Sequence, residues 1–403
     1  MTAEVHAVGG LGAFLRTRSA FHVLLTATLL LVGFGLIMVL SSSNVTAYLN
    51  YGSATALFTR QLIFATVGVI LMLVAAWVRP VVIARLAPIL LTVAIVLLIA
   101  VLIPGIGVSV GGQRNWIDLG GPFNIQPSEF AKLALAVWGA SLLARRAERL
   151  NRWRSLLVPL LPVSLLIVVL ILAENDLGTA LIIIPIVFGL LFAAGAPLRL
   201  FIAIGVGGVA LFTLVSLQQG YRLDRLRSWL DPQTDPLGSG WQLTHSKFAL
   251  AAGGWSGLGI GASREKWGGL PQSHTDFIFA IVGEELGMLG TLGLLTVLGV
   301  MAAVALGLAA RTTDTYARLL VTAVVAWLLG QSLINIGAVL GLLPITGVPL
   351  PLISYGGSSL VTTLVGLGLV MGCARRERSA PDQPGAPPRS ALSAGAGAGA
   401  EER

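Results

Sequence analysis

Charge is what this sequence has least of: 11% of its 403 residues are Asp, Glu, Lys or Arg, against about 25% in a typical soluble domain. That scarcity excludes a soluble multidomain protein, whose surface needs far more ionic side chains. Cysteine is almost missing. The lone Cys373 excludes an internal disulfide, so cysteine usage does not report the redox compartment. No small-residue cleavage site follows the apolar run Leu24–Leu40 behind Arg16 and Arg18, so this run reads as a retained first span and not a removed signal peptide. The basic residues lack interleaved aromatics, and the net charge of +8 therefore does not speak for nucleic-acid binding. The two halves also show no internal repeat of the kind common in secondary transporters.

What the chain has in abundance is apolar sequence, 55% of all residues, gathered in runs of about 17–25 that can each cross a bilayer as a helix. Ten spans are read, at 23–40, 61–78, 86–103, 129–144, 156–172, 177–195, 200–218, 277–308, 319–341 and 356–373. The expected fold class is all-α, a polytopic membrane protein. The eighth span is long for one crossing and is expected to tilt or to project from the membrane. An even number of spans puts both ends on one side, together with Arg79, Arg85, Arg145, Arg146, Arg149, Arg152, Arg154, Arg199, Arg311, Arg318, Arg375, Arg376 and Arg378. Lys/Arg excess in short loops marks the cytoplasm, so both termini are expected there. The resulting division is a cytoplasmic segment at 1–22, a membrane domain at 23–375 and a disordered tail at 376–403 whose Pro/Gly/Ala composition cannot bury a core.

Two outer loops, 104–128 and 219–276, are much longer than the rest and carry Gly, Pro, Trp and polar residues. Loops of that chemistry on a rigid scaffold are usual places for sites. In the first, Pro127-Ser128-Glu129 reads as a helix start with Ser128 as N-cap and Glu129 in the first turn, where the helix dipole favours an anion. Lys132 follows at i+3, a turn inside an apolar span, where a fixed ammonium near Arg114 would suit an anionic lipid head group. The short turn Ala173-Glu174-Asn175-Asp176-Leu177-Gly178 offers Asp176, either as cap of the next helix or as a site wall.

The long loop brings Arg222, Arg225, Arg227, Lys247, Arg264 and Lys266 near Trp241, Trp255 and Trp267, and ends in Ser273-His274-Thr275-Asp276-Phe277. Ser273 and Asp276 have capping-box spacing. Glu284 and Glu285 lie in the apolar span that follows, where an ionisable side chain is costly and so a functional candidate. On an uninterrupted helix Glu284 would lie about 80° around from Asp276, with Glu285 turned toward a neighbouring helix. From Asn335 to Ser359 the sequence is Pro/Gly-rich at membrane depth, which is tolerated only where backbone is buried in protein or lines a polar cavity. Its hydroxyls, Ser354 and Ser358 among them, could meet a phosphate or sugar.

These residues resemble the FtsW/RodA/SpoVE (SEDS) family over about residues 20–375. The resemblance rests on Asn335, Gly341-Leu342-x-Pro344-Ile345-x-Gly347-Val348 and Leu352-Ile353-Ser354-Tyr355-Gly356-Gly357-Ser358-Ser359. It rests equally on His274-Thr275-Asp276-Phe277 with Glu284-Glu285-Leu286-Gly287, and on Trp116-Ile117-Asp118-Leu119-Gly120 with Gln126-Pro127-Ser128-Glu129. Met38-Val39-Leu40-Ser41-Ser42-Ser43 and Phe58-x-Arg60-Gln61-Leu62 look more like the division (FtsW) branch than the elongation (RodA) branch. In one place the sequence departs from the pattern: Asn115 separates Arg114 from Trp116, which are adjacent in many members.

The resemblance implies ten membrane helices and an inverting peptidoglycan glycosyltransferase that polymerises lipid II at the outer face of the cytoplasmic membrane. It also implies a class B penicillin-binding protein (an FtsI-like transpeptidase) as partner, among other division proteins at the septum. The family's essential aspartate falls on Asp276, and its first-loop Trp and Glu fall on Trp116 and Glu129. The chemistry is consistent with these residues. A lipid pyrophosphate is already a good leaving group, so one base and cations to hold the pyrophosphate would suffice. Asp276 is the expected base; Lys132, Arg114 and the basic residues of the long loop are the expected holders. A divalent cation (Mg or Mn) bridging pyrophosphate and carboxylate fits the same chemistry, although no ligand cluster stands out. The rival readings are a lipid II flippase, the elongation polymerase of the same family, and a non-catalytic division scaffold.

Overall fold

A computed structural model describes residues 20–110, 112–118, 120, 124–147, 153–217 and 220–377. The expectations placed on 1–19, on Arg149 and Arg152, on Leu119 and on the tail from Arg378 lie outside the described residues, as do the side chains of Arg154 and Arg222.

Among the described residues the apolar runs become ten long helices: α1 (Ala20–Tyr51), α2 (Ala56–Trp77), α3 (Pro80–Leu102), α4 (Pro127–Ala144), α5 (Trp153–Ala173), α6 (Leu177–Ala193), α7 (Leu198–Leu217), α10 (Ile278–Arg311), α11 (Thr315–Val339) and α12 (Gly357–Glu377). Among the described residues, six of them, α1, α2, α3, α10, α11 and α12, are long and apolar enough to cross a membrane by length and composition. Together the helices make a polytopic, mostly α membrane protein. Their packing explains the run composition: α11 and α12 are buried over most of their length, whereas α2 and α3 turn much of their apolar surface outward, as helices facing lipid do.

Both long loops contain structure that the run pattern does not announce. The first folds into a three-stranded antiparallel sheet, β1 (Gly107–Val110), β2 (Gln113–Asp118) and β3 (Asn124–Ile125), in the order β1-β2-β3. The second forms two further helices, α8 (Gly220–Leu230) and α9 (Ser239–Gly253). Two expected caps are displaced. α4 starts at Pro127 with Gln126 as N-cap, so Ser128 is already inside the first turn and caps nothing. α10 starts at Ile278 with Phe277 as N-cap, and Ser273 Oγ instead donates to Ser42 O on α1.

The length of the eighth span has a local cause. α10 is interrupted at Gly287, whose φ of 67° and ψ of −164° are accessible without strain only to glycine. The backbone groups freed by the break are taken up by the 254–259 segment. Glu284 O and Glu285 O accept from the N–H groups of Leu258 and Gly259, and the N–H groups of Met288 and Leu289 donate to Gly254 O and Trp255 O. Beyond the break the helix still has about 36 Å of length at ~1.5 Å per residue, enough for the ~30 Å hydrocarbon layer. The turns before it, Ile278 to Val282, are at most 3% exposed and enclosed by protein.

Candidate functional site

Asp276 sits in the loop two residues before α10, and the backbone around it is held at three consecutive carbonyls. Tyr355 N–H donates to His274 O at 2.9 Å, Ser354 Oγ donates to Thr275 O at 2.6 Å, and Asn335 Nδ2 donates to Asp276 O at 2.7 Å. The irregular stretch between α11 and α12 is therefore the clamp on the Asp276 segment. It survives at membrane depth because its own polar backbone is satisfied. Asn335 Nδ2 donates to Val348 O and Gln331 Nε2 to Pro349 O; Gln61 Nε2 donates to Ser354 O, and Gly356 N–H donates to Gln61 Oε1. Ser354 Oγ also accepts from Leu350 N–H, so its hydroxyl is committed to the fold.

The carboxylate of Asp276 lies beside Gly347, where an added Cβ would come 3.6 Å from Oδ2. Burial pushes its pKa up to about 6; Arg225 on α8 pulls it down and the charge of Asp176 pushes it up. At neutral pH this side chain is an ionised, poorly solvated carboxylate, which is what a general base requires. His274 is held neutral, since burial lowers its pKa to about 4, and its Nδ1 has no partner among the described residues.

Asp176 caps α6, accepting from Thr179 N–H at 2.9 Å. It also gathers the first long loop: Oδ2 accepts from Asn115 Nδ2 at 3.2 Å and from Gln126 Nε2 at 2.9 Å. Asp176 is thus the cap of α6 and the point where residues 115 and 126 are tied to that cap. Gly178 brings the same turn against the Asp276 side, because a Cβ there would meet Thr346 O at 2.3 Å. Glu174, two residues before Asp176, is fully buried with neither carboxyl oxygen partnered among the described residues. Burial, then the Asp176 charge, pushes its pKa up to about 9, so it stands as a neutral acid. Its signal in the sequence is a glutamate set between an apolar helix and a capping aspartate.

The remaining expected residues divide into two groups. Arg114 and Trp116 lie on β2 beside the 173–176 turn, and neither side chain finds a polar partner among the described residues. Glu129 and Lys132 instead meet each other inside the bundle, with Lys132 Nζ 2.7 Å from Glu129 Oε1 and both side chains at most 2% exposed. Lys132 Nζ also donates to Gln331 Oε1, which accepts from Trp327 Nε1 as well. Through Gln331 this pair supports Pro349 and so the clamp on Asp276; it is closed off inside the bundle. Ser358 Oγ accepts from Gln126 N–H at 3.1 Å and ties the start of α4 to α12.

The placement of Glu284 on the Asp276 face does not hold. Its carboxylate accepts from Ser263 Oγ and from Arg264 N–H at 2.8 Å, so it is committed to the loop before the short helical turn at 265–267. The wheel assumed one helix from Asp276 onward, whereas α10 begins after it. Glu285 does reach a neighbouring helix, accepting from Ser41 Oγ on α1 at 2.6 Å, with Lys266 Nζ 3.4 Å away. Among the described residues no three His, Cys, Asp or Glu side chains converge to hold a metal ion.

One further feature adjoins the site. An apolar groove of about 620 Å³ runs between α5, α6 and α7. Leu172 and Leu177 line it, and they flank the 173–176 turn that carries Glu174 and Asp176.

The family model for the FtsW/RodA/SpoVE proteins, described as "Cell cycle protein", matches residues 21–379. The chain is 44% identical over 370 residues to the "Probable peptidoglycan glycosyltransferase FtsW" of Mycobacterium tuberculosis, covering 92% of this chain and 70% of that one. It is 38% identical to the stage V sporulation protein E of Bacillus subtilis, over 88% of this chain and 97% of that one. Its fold is similar to a chain of a peptidoglycan synthase complex that coordinates polymerization and crosslinking, with a TM-score of 0.72 and 31% identity over 88% of this chain and 97% of that one.

Proposed function

The chain belongs to the FtsW/RodA/SpoVE family, and from that premise we propose that it is a peptidoglycan glycosyltransferase of cell division. In this reading it polymerises lipid II at the outer face of the cytoplasmic membrane, with both termini inside. The observation that carries the reading is Asp276, a partly desolvated carboxylate whose backbone is clamped at three carbonyls and which faces Arg225.

The reaction needs one base. The acceptor sugar hydroxyl gives its proton to Asp276 while its oxygen attacks C1 of the donor sugar from the face opposite the pyrophosphate. The new glycosidic bond forms with inversion, the C1–O bond to phosphate breaks, and the polyprenyl pyrophosphate leaves with the bonding electrons. Because that leaving group is a stable anion, no acid has to protonate it. Arg225 near Asp276, and Arg114 on β2, are the cations assigned to the pyrophosphate. A guanidinium suits phosphate because it offers a planar fork of donors. Trp116 and Asp176 are assigned to the wall of the same site. The groove between α5, α6 and α7 matches a polyprenyl chain in chemistry, since apolar burial there is worth about 25 cal/mol per Å². Its mouth would leave the head group at the 173–176 turn. Lys132, Glu129, Ser354, Ser358 and Glu284 serve the site by holding its frame.

A transporter would use the deep charges as a path, whereas here Glu129 and Lys132 are mutually paired and closed off. The partner assigned is a class B penicillin-binding transpeptidase, in keeping with the synthase complex whose chain this fold resembles. The test is to incubate the purified protein with lipid II, with and without such a transpeptidase, and to look for glycan polymer. Lipid translocation without polymer would favour the flippase instead.

A further inference from the structure

β2 contains one residue more than its pairing with β1 can use. Val108 pairs with Trp116 and Ser109 with Arg114, so the register shifts and Asn115 is left over as a β-bulge. Bulges re-aim a strand and free a side chain from the ladder. Here the freed side chain turns inward: Asn115 is 3% exposed, and its Nδ2 donates to Asp176 Oδ2 at 3.2 Å and to Gln113 Oε1 at 3.3 Å.

Its neighbours grip the same turn. Gln113 Nε2 donates to Asn175 O at 3.3 Å, and Arg114 N–H donates to Glu174 O at 3.1 Å. Three consecutive residues of β2 thus hold three consecutive residues of the α5–α6 turn. That turn is itself irregular, since Asn175 has a φ of +66°, a conformation that persists only when its surroundings impose it.

We propose that Asn115 is a positioning residue, the centre of a three-point latch that docks the Arg114–Trp116 strand over the Asp276 site. The inference rests on the functional reading above for its substrate, and on geometry alone for the latch. Asn115 touches no reacting atom; it acts through Asp176 and through the strand it anchors. Asn115→Ala removes the grip without adding bulk, and Asn115→Asp sets a second carboxylate against Asp176.

Two measurements on the full-length purified protein test it. Hydrogen exchange reads the latch directly, because Arg114 N–H donates across it. The wild type should protect the 113–117 amides; Asn115→Ala should exchange them faster and Asn115→Asp faster still, with the amides of α11 unchanged. Steady-state polymerisation of lipid II should show KM raised about fivefold to tenfold in Asn115→Ala, as expected for one lost buried hydrogen bond, and kcat affected less. Unchanged exchange in both variants would overturn the latch, and faster exchange with unchanged KM would overturn its link to substrate. If the wild type made no polymer, the functional reading would fail while the exchange data still decided the latch.

Discussion

Replacing Asp276 with asparagine should slow polymerisation by orders of magnitude and, near and above neutral pH, make the protein harder to unfold. The carboxyl pKa rises from 3.8 to about 6 on folding, and at ~1.4 kcal/mol per unit the ionised side chain costs the native state at most ~3 kcal/mol. The figure is an upper bound because the side chain keeps some contact with solvent. The sign follows from proton binding: between about pH 4 and pH 6 the native state holds the proton and the unfolded chain does not. Wild-type stability therefore falls as pH rises through that window, and the penalty is complete above about pH 6. Asparagine carries no such penalty, so its advantage in Tm should be full at pH 7.5 and gone below about pH 4. Activity should go the other way, with a loss of about 10²–10⁴-fold for removal of a general base. In the wild type, kcat/KM should rise with pH to a plateau above about 6. Thermal unfolding at pH 4 and 7.5 and polymerisation across the same range check both halves. An Asp276→Asn protein that polymerised lipid II at the wild-type rate would refute the assignment of the base. A Tm difference independent of pH would refute the buried, ionised carboxylate.

Lys132→Ala should destabilise the fold by ~3–5 kcal/mol, because it leaves Glu129 charged and unpaired in the bundle. The double variant Glu129→Gln/Lys132→Met should recover most of the folded yield; a well-folded Lys132→Ala that had lost only lipid II binding would make Lys132 a substrate cation after all. Gly287→Ala should lower Tm by the equivalent of at least ~1 kcal/mol, since its φ is positive and a Cβ would come 2.4 Å from Gly257 N. For topology, a cysteine at Leu237, which is 89% exposed, should react with an impermeant thiol reagent added to cells whose outer face is accessible. One at the exposed Ala147 should not, with Cys373→Ser as background in both. The neighbouring Gly238 is a poor choice because its Cβ would strike the Asp235 carboxylate.

The helices were legible because hydrocarbon imposes long apolar runs, and Asp276 was legible because an acid at the mouth of such a run needs a reason. What stayed hidden depends on contacts between distant segments. A helical wheel could not place Glu284, since helix α10 begins after Asp276 and breaks at Gly287 only when the 254–259 segment fills the gap. Lys132 read as an open cation because nothing local shows that Gln331, 199 residues away, closes over it. The sheet of the first loop was masked by glycine and short strands, and with it the bulge that turns Asn115 from an apparent irregularity into a contact. Ser128 and Ser273 carried cap signals, yet the helices start one or more residues from where those signals placed them.

The most direct test is single-turnover reaction of purified wild-type and Asp276→Asn protein with labelled lipid II, scoring substrate bound and glycosidic bonds formed. The account predicts glycan strands with the wild type, and bound but unreacted lipid II with the variant. Glycosidic bonds formed by Asp276→Asn at near the wild-type rate, or equal loss of binding and chemistry in it, would contradict the account.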